Sequence, residues 1–372
     1  MIIGVPKEIK DNEYRVNITP GGVRALKEAH HRVIIEKSAG LGSGINDAEY
    51  ERAGGEIKQT REEVFHEAEM MVKVKEPLFE ELDLFQEGQI LFTYLHLAAN
   101  RHLTEGLLEK KIIGIAYETV ELPDGILPLL VPMSQIAGRM SPQIGAHYLE
   151  KTQGGKGVLL GGVPGILPAR VTILGGGTVG INAAKIAVGM GAEVCVIDKD
   201  PKKLIYLDDL YQGKVKTLTS VSHNIEMLIP GTDLLIGAVL IPGAKAPQLV
   251  SSKMIRKMES GSVVLDVAID QGGCIETSRP TSHSEPIYSV DGVIHYGVTN
   301  IPSIVARTST YALSDATFPY ILGLANKGVS RAAKENPAIA CGINLWEGKL
   351  TCKAVAEAHD LEYCRVNLCI AI

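Results

Sequence analysis

The segment from 171 to 198, VTILGGGTVGINAAKIAVGMGAEVCVID, reads as strand, glycine turn, helix and second strand ending in a carboxylate, and few folds accommodate that order. Val171 to Leu174 is apolar and β-prone, and Gly175, Gly177 and Gly180 fall on the G-x-G-x-x-G spacing. The first glycine allows a tight turn, the second lets backbone approach a pyrophosphate, and the third lets the helix pack close to the strand. Ala183, Ala184, Ala187 and Gly191 keep that helix near a sheet, while its N-terminal N–H groups and positive dipole end suit phosphate oxygens. Asp198 follows the last apolar residue of the second strand, where a carboxylate can accept hydrogen bonds from a ribose diol. The expectation is a dinucleotide site that favours NAD over NADP, because a phosphate on that ribose would meet negative charge. Lys199, Lys202 and Lys203 weaken the preference.

The βα rhythm continues beyond that unit. Strand-like runs at 215–218, 233–239, 262–267 and 293–296 alternate with helical spacing at 201–211, 222–228 and 247–258, which predicts a doubly wound parallel sheet. Upstream, 2–5, 32–36, 71–74, 90–93 and 112–116 repeat the alternation without a glycine fingerprint. Helix ends are readable there, with Thr19 capping before Pro20 and Asn46 starting a helix that stops at Gly54. The expected fold class is α/β, with two doubly wound Rossmann-like domains. Residues 307–372 are too few for a core of their own. They are expected to return to the first domain, giving 1–128 with 307–372 as one domain and 129–306 as a nucleotide domain inserted into it, with the cleft between them. The stretch GGKGVLLGGVPGILP from Gly154 reads as an ordered loop or short hairpin.

A formal charge of -6 and a pI near 6.0, with no Lys/Arg-rich block, argue against a nucleic-acid partner. No apolar run approaches a membrane span, and MIIGVPKEIK lacks the basic and apolar regions of a signal peptide. The six cysteines show no Cys-x-x-Cys and no zinc-like spacing, so free thiols and no metal are expected. A cytoplasmic chain without membrane or nucleic-acid partners follows.

Ligands of open parallel sheets bind beyond the carboxyl ends of strands. That rule selects Arg15, Lys75, Tyr94 and His96 in the first domain, and Asp270 and Asn300 in the second. A guanidinium binds a carboxylate in bidentate fashion, an ammonium polarises a carbonyl, and a histidine exchanges protons near neutral pH. Each residue also has a plainer reading. Lys73 and Lys75 alternate with valines as on a solvated strand face, and Arg15 in DNEYRVN by itself reads as a surface charge. His96 fits a structural histidine, and Asp270 fits a turn cap.

Taken together, GVPKEIKDNEYRVNITP, VKVKEP around Lys75, TYLHLA around His96, LGGGTVG and DVAIDQGG resemble the alanine dehydrogenase family, whose wider membership includes the NAD-binding part of nicotinamide nucleotide transhydrogenase. The resemblance spans essentially the whole chain. One departure is Asn17, where a small residue is usual. The resemblance implies NAD-dependent, reversible oxidative deamination of L-alanine to pyruvate and ammonium by a homohexamer. It makes 1–128 with 307–372 the substrate domain and 129–306 the NAD domain. It implies that Arg15 and Lys75 hold the substrate, that His96 and Asp270 exchange protons, and that Tyr94, Met133 and Asn300 shape the substrate site. Ser134, Thr178, Val179, Asp198, Lys203, Ser220, Val239, Leu240, Val267, Ala268, Ile269, Arg279, Val298, Asn300 and Ile301, with the glycine turn, would contact NAD. Two other classes stay open: a transhydrogenase-like NAD module without a small substrate, and a dehydrogenase acting on a larger amino acid. The loop after Pro132, MSQIAGRMS, does not read as the transhydrogenase hydride-transfer loop.

Overall fold

Short apolar runs bounded by glycine, proline or polar turns form strands buried on both faces, as parallel sheets require. The computed structural model describes residues 1–239 and 246–369. The chain divides into two units, Met1–Met133 with Ser303–Ile372, and Ser134–Pro302. Strands β1 (Ile2–Val5), β2 (Arg32–Glu36), β3 (Glu56–Lys58), β4 (Met70–Val72), β5 (Ile90–Thr93) and β6 (Ile113–Ala116) belong to the first unit. The second contains β7 (Arg170–Leu174), β8 (Glu193–Asp198), β9 (Val215–Thr219), β10 (Leu234–Gly237), β11 (Val263–Asp266), β12 (Ile287–Val290) and β13 (Val293–Tyr296). The chain then returns to the first sheet as β14 (Ile343–Trp346) and β15 (Lys349–Leu350).

The first sheet runs β15-β14-β6-β5-β4-β1-β2-β3, with β1 to β6 parallel and the two returning strands antiparallel at one edge. Chain order reverses between β1 and β4. The second sheet runs β12-β13-β11-β10-β7-β8-β9 and reverses between β7 and β10. Both are doubly wound Rossmann-like sheets, and such reversals open a crevice beyond the strand ends.

Alternation along β7 sends Ile173 and Leu174 to opposite faces of the second sheet. Ile173 packs with Ala183, Ala184 and Ala187 of the helix Thr178–Gly189, and Leu174 packs with Ile197, Leu235 and Val264. Leu235 is fully buried, so Leu235→Ala would cost about 2–5 kcal/mol. Phe65, Leu91, Leu107 and Leu345 anchor a core of the first unit. The helix Asp47–Ala53 begins with a capping box between Asn46 and Glu49 and stops at Gly54, whose φ of 97° is open to glycine at little cost. Thr19 caps Pro20–Glu28, and a cap of this kind contributes about 1 kcal/mol.

Three expectations need correction. Strand β12 is an additional antiparallel hairpin partner of β13, turned through Asp291 (φ 51°) and Gly292 (φ 81°), the Asp-Gly pair that a tight hairpin favours. The helix expected over 247–258 shrinks to Ser252–Ile255, where Ser251 caps and a turn over 256–258 ends it. The long helix Ala306–Glu335 is two helical stretches joined across a kink at Gly328 (φ 71°, ψ 163°). Cys364 and Cys369 are paired rather than free, because five residues across a helix start bring their sulfurs together, while Cys195, Cys274, Cys341 and Cys352 are free.

Candidate active site

In the first unit, Arg15 lies beyond β1, Lys75 beyond β4, Tyr94 and His96 beyond β5, and Glu118 beyond β6, four adjacent parallel strands. Arg15 and Lys75 thus follow the two strands that flank the reversal. Arg15 is 2% exposed, so it is not the surface charge that its sequence context also allowed. Its Nε and Nη2 donate to Glu13 at 2.6 and 2.5 Å, and its Nη1 donates to Met133 Sδ at 3.1 Å. Burial disfavours the guanidinium charge, but Glu13 outweighs that and raises the Arg15 pKa.

Lys73 does not sit on a solvated face. It is 1% exposed, with Nζ 2.8 Å from Glu81 and 3.4 Å from Glu8. Burial works against its charge and the two glutamates prevail, so its pKa rises; burial raises that of Glu8, with Lys73 opposing. Glu8 Oε1 also accepts from the backbone N–H of Val74 at 2.6 Å and of Lys75 at 3.3 Å. Lys75 is half-buried, and its carbonyl accepts from Thr93 Oγ1 at 3.0 Å. A buried ion triad therefore holds the strand end that presents Lys75.

His96 adopts a left-handed backbone, φ 48° and ψ 34°, a conformation that persists in a non-glycine residue only where its surroundings enforce it. Glu118 enforces it here, accepting from the N–H groups of Leu95 and His96, the latter at 2.6 Å. The ring is open to solvent yet set among protein mass that disfavours the imidazolium. That desolvation lowers the His96 pKa; Glu118 opposes it, Lys75 reinforces it, and Glu76 and Lys10 act in opposite directions more weakly. Tyr94 stacks on the His96 ring at 5.8 Å and donates its hydroxyl proton to Leu129 C=O at 2.5 Å. Burial raises the Tyr94 pKa, so this phenol stays a donor committed to backbone.

In the second unit the glycine turn follows β7. Gly175 has φ 104°, and a Cβ there would meet Ala238 O at 2.6 Å; a Cβ on Gly180 would lie 1.8 Å from Gly175 O. Nothing lies within 4 Å of a Cβ on Gly177, which caps the helix Thr178–Gly189. Open space over unbonded helix N–H groups suits a pyrophosphate. Asp198 ends β8, 7% exposed, with Oδ2 accepting from Gly176 N–H at 2.7 Å and Oδ1 from Asp200 N–H at 2.8 Å. The carboxylate thus shapes the turn and retains lone pairs for a ribose hydroxyl. Lys203 Nζ stands 3.5 Å from it. The residues present fit a dinucleotide.

The remaining sequence-selected residues of this unit also follow strand ends, except Ser134 on the helix Val131–Tyr148 and Arg279. Ser220 follows β9, and Val239 follows β10 against the glycine turn. Val267, Ala268, Ile269 and Asp270 form a tight turn after β11, with Asp270 exposed. Val298, Asn300 and Ile301 follow β13, and the Asn300 carbonyl meets His283 Nε2 at 2.8 Å. Arg279 lays its guanidinium over the Tyr288 ring at 4.2 Å. Leu240 lies outside the described residues.

Several organising residues escaped the sequence reading: Glu8, Glu13, Glu81, Glu118 and Asp266. Asp266 is 1% exposed and accepts from the N–H groups of Ala268, Cys274 and Ile275, which pins both ends of the loop that carries Asp270. Burial raises its pKa, with Ser278 and those N–H groups opposing. Glu118 and Asp266 could have been found by the strand-end rule that selected the others.

A doubly wound sheet with this turn and this acid defines a dinucleotide-binding protein of the Rossmann class. Residues 4–137 match the family described as alanine dehydrogenase/PNT, N-terminal domain, and residues 141–353 match alanine dehydrogenase/PNT, C-terminal domain. The chain is 63% identical over 364 residues to an alanine dehydrogenase of Methanococcus maripaludis and 56% identical to one of Staphylococcus saprophyticus, each alignment covering 98% of both chains. A solved L-alanine dehydrogenase superposes with a TM-score of 0.94 at 52% identity, covering 97% of this chain and 99% of that one. A transhydrogenase from Sinorhizobium meliloti shares the fold, with a TM-score of 0.81 at 23% identity over 95% of this chain and 100% of that one. The chain belongs to the alanine dehydrogenase/PNT family.

Proposed function

We propose that this chain catalyses the reversible, NAD-dependent oxidative deamination of L-alanine to pyruvate and ammonium. The observation that carries the reading is the pair of cations, Arg15 and Lys75, beyond the two strands flanking the reversal of a second Rossmann-like sheet. Arg15, kept charged by Glu13, binds the substrate carboxylate, and Lys75 polarises the carbonyl of pyruvate or its iminium counterpart. Met133, in contact with Arg15, and the buried Tyr94 restrict the side chain to a small one.

NAD, when bound at the glycine turn and Asp198, supplies the hydride acceptor, with the other NAD contacts as the family resemblance implies. Loss of the α-hydride leaves an iminium, which water attacks to give a carbinolamine that collapses to pyruvate and ammonium. These steps need a group that deprotonates the amine and activates water. His96, held neutral by desolvation, takes that proton, and Asp270 of the second unit carries protons during breakdown. Asn300 completes the substrate set. The chain works in the cytoplasm as a homohexamer; no helix among the described residues is long and apolar enough to cross a membrane, and Leu159, Ile166 and Leu167 present apolar surface that a neighbouring copy would cover.

The assay is NADH consumption with ammonium and a panel of 2-oxo acids. Activity on pyruvate is expected, and none on any oxo acid would favour an NAD-binding module. His96→Ala and Asp270→Asn should each lower turnover by about 10² to 10⁴-fold with NADH affinity kept; more than half of wild-type turnover removes that residue from the mechanism. Lys75→Ala should lose pyruvate-dependent activity without unfolding.

A further inference from the structure

Asn17, the residue at which this chain departs from the usual small side chain, is buried at 1% exposure and stands in a directed chain of hydrogen bonds. Thr317 Oγ1 lies 2.9 Å from Asn17 Oδ1, Asn17 Nδ2 donates to the Tyr117 hydroxyl at 2.8 Å, and that hydroxyl donates to the Lys73 carbonyl at 3.0 Å. Burial raises the Tyr117 pKa well above its ordinary value, so the phenol remains a donor across the working pH range. Bonds aligned in one direction polarise one another, and inside a protein their loss is felt more than in water.

The two ends of the chain are informative. Asn17 lies two residues after Arg15, and Lys73 two residues before Lys75. The long helix Ala306–Glu335 grips the first end from behind. Thr310 Oγ1 accepts from the Val16 N–H at 3.1 Å and Ser314 Oγ from the Thr19 N–H at 3.3 Å, so Thr310, Ser314 and Thr317 hold Val16, Thr19 and Asn17 respectively. At the second end Tyr117 packs edge-on against both Phe92, at 4.4 Å, and Tyr94, at 5.0 Å, and Tyr94 stacks on His96.

We infer that Asn17 and Tyr117 are positioning residues that set the spacing between Arg15 and Lys75, and so the fit of a short 2-oxo acid between the two cations. This rests on the proposed substrate-binding roles of Arg15 and Lys75. Neither Asn17 nor Tyr117 touches the substrate. They tie the strand end that carries one cation to the segment that carries the other, where a misplacement of about 1 Å can cost on the order of 10²-fold.

The test uses the full chain. Tyr117→Phe removes one oxygen and keeps the ring packing; Asn17→Ala removes the amide that orients that oxygen. Each is expected to raise KM for pyruvate on the order of tenfold, to leave kcat at saturating pyruvate within about threefold, and to leave the NADH Kd from fluorescence titration unchanged, the pattern of lost uniform binding. A purely structural role would lower Tm and leave KM alone, and that result overturns the inference. Lys75→Ala is measured in parallel. If it keeps wild-type KM and kcat, the substrate-binding reading falls and this inference with it. If it is inactive while folded Tyr117→Phe retains wild-type KM, only the inference falls. Should one variant fail to fold, the other decides.

Discussion

Removing the cation from the buried triad tests how the first unit tolerates charge. Lys73 Nζ lies 2.8 Å from Glu81 and 3.4 Å from Glu8, and none of the three side chains is more than 3% exposed. At an effective dielectric of about 20, each attraction is about 5 kcal/mol, and desolvation of the three ions, several kcal/mol apiece, cancels most of that gain. Lys73→Met keeps the desolvation of both carboxylates and loses both attractions, so a destabilisation of about 3–5 kcal/mol is expected. The sign of the pH dependence follows from Glu8. Its folded pKa is already raised by burial, and Lys73 is the largest influence holding it down. Without Lys73 it rises further, so the folded variant binds protons that the unfolded chain releases, and its stability falls as pH rises through that interval. The deficit should be full at about pH 8 and shrink as pH falls toward the ordinary glutamate value of 4.5. Urea unfolding of wild type and variant at pH 8 and at about pH 5.5 measures both quantities. A loss below about 1 kcal/mol, or an equal loss at the two pH values, would refute the reasoning.

Three further outcomes follow from the site geometry. In the deamination direction, kcat/KM should lose activity on an acid limb below the ordinary histidine value of 6.5, because desolvation lowers the His96 pKa; Glu118→Gln, which removes the largest opposing influence, should move that limb to still lower pH, and a move upward would contradict the assignment. Gly180→Ala places a Cβ 1.8 Å from Gly175 O, so helix and turn must separate and NADH titration should show affinity reduced by at least about tenfold; wild-type NADH affinity would remove the close-packing account of the third glycine. Asp266→Ala releases three N–H groups around the loop that carries Asp270, and turnover should fall more than NADH affinity; unchanged turnover would show that the loop is ordered without it.

Much of the architecture was legible in the sequence because it depends on local patterns. The glycine spacing, the apolar runs and the caps at Thr19, Asn46 and Gly54 each concern residues within a few positions of one another, and they specify a Rossmann-like class. The Asp291-Gly292 turn that forms the β12–β13 hairpin is equally local. Placing Arg15, Lys75, Tyr94, His96 and Asp270 beyond strand ends needed only the strands and the rule for where parallel sheets bind ligands. Tertiary structure alone decided what those residues lean on. The bond from Glu8 to the Val74 N–H spans 66 residues and that from Asn17 to Thr317 spans 300. No periodicity encodes such pairings, and a buried charge looks in sequence like an exposed one. The alternating Lys73 and Lys75 show the difference. Their pattern is symmetric, yet folding puts one ammonium among glutamates and leaves the other half-buried, because the chain bends at 74–75 just past β4 and only the tertiary structure brings Glu8 and Glu81 to Lys73.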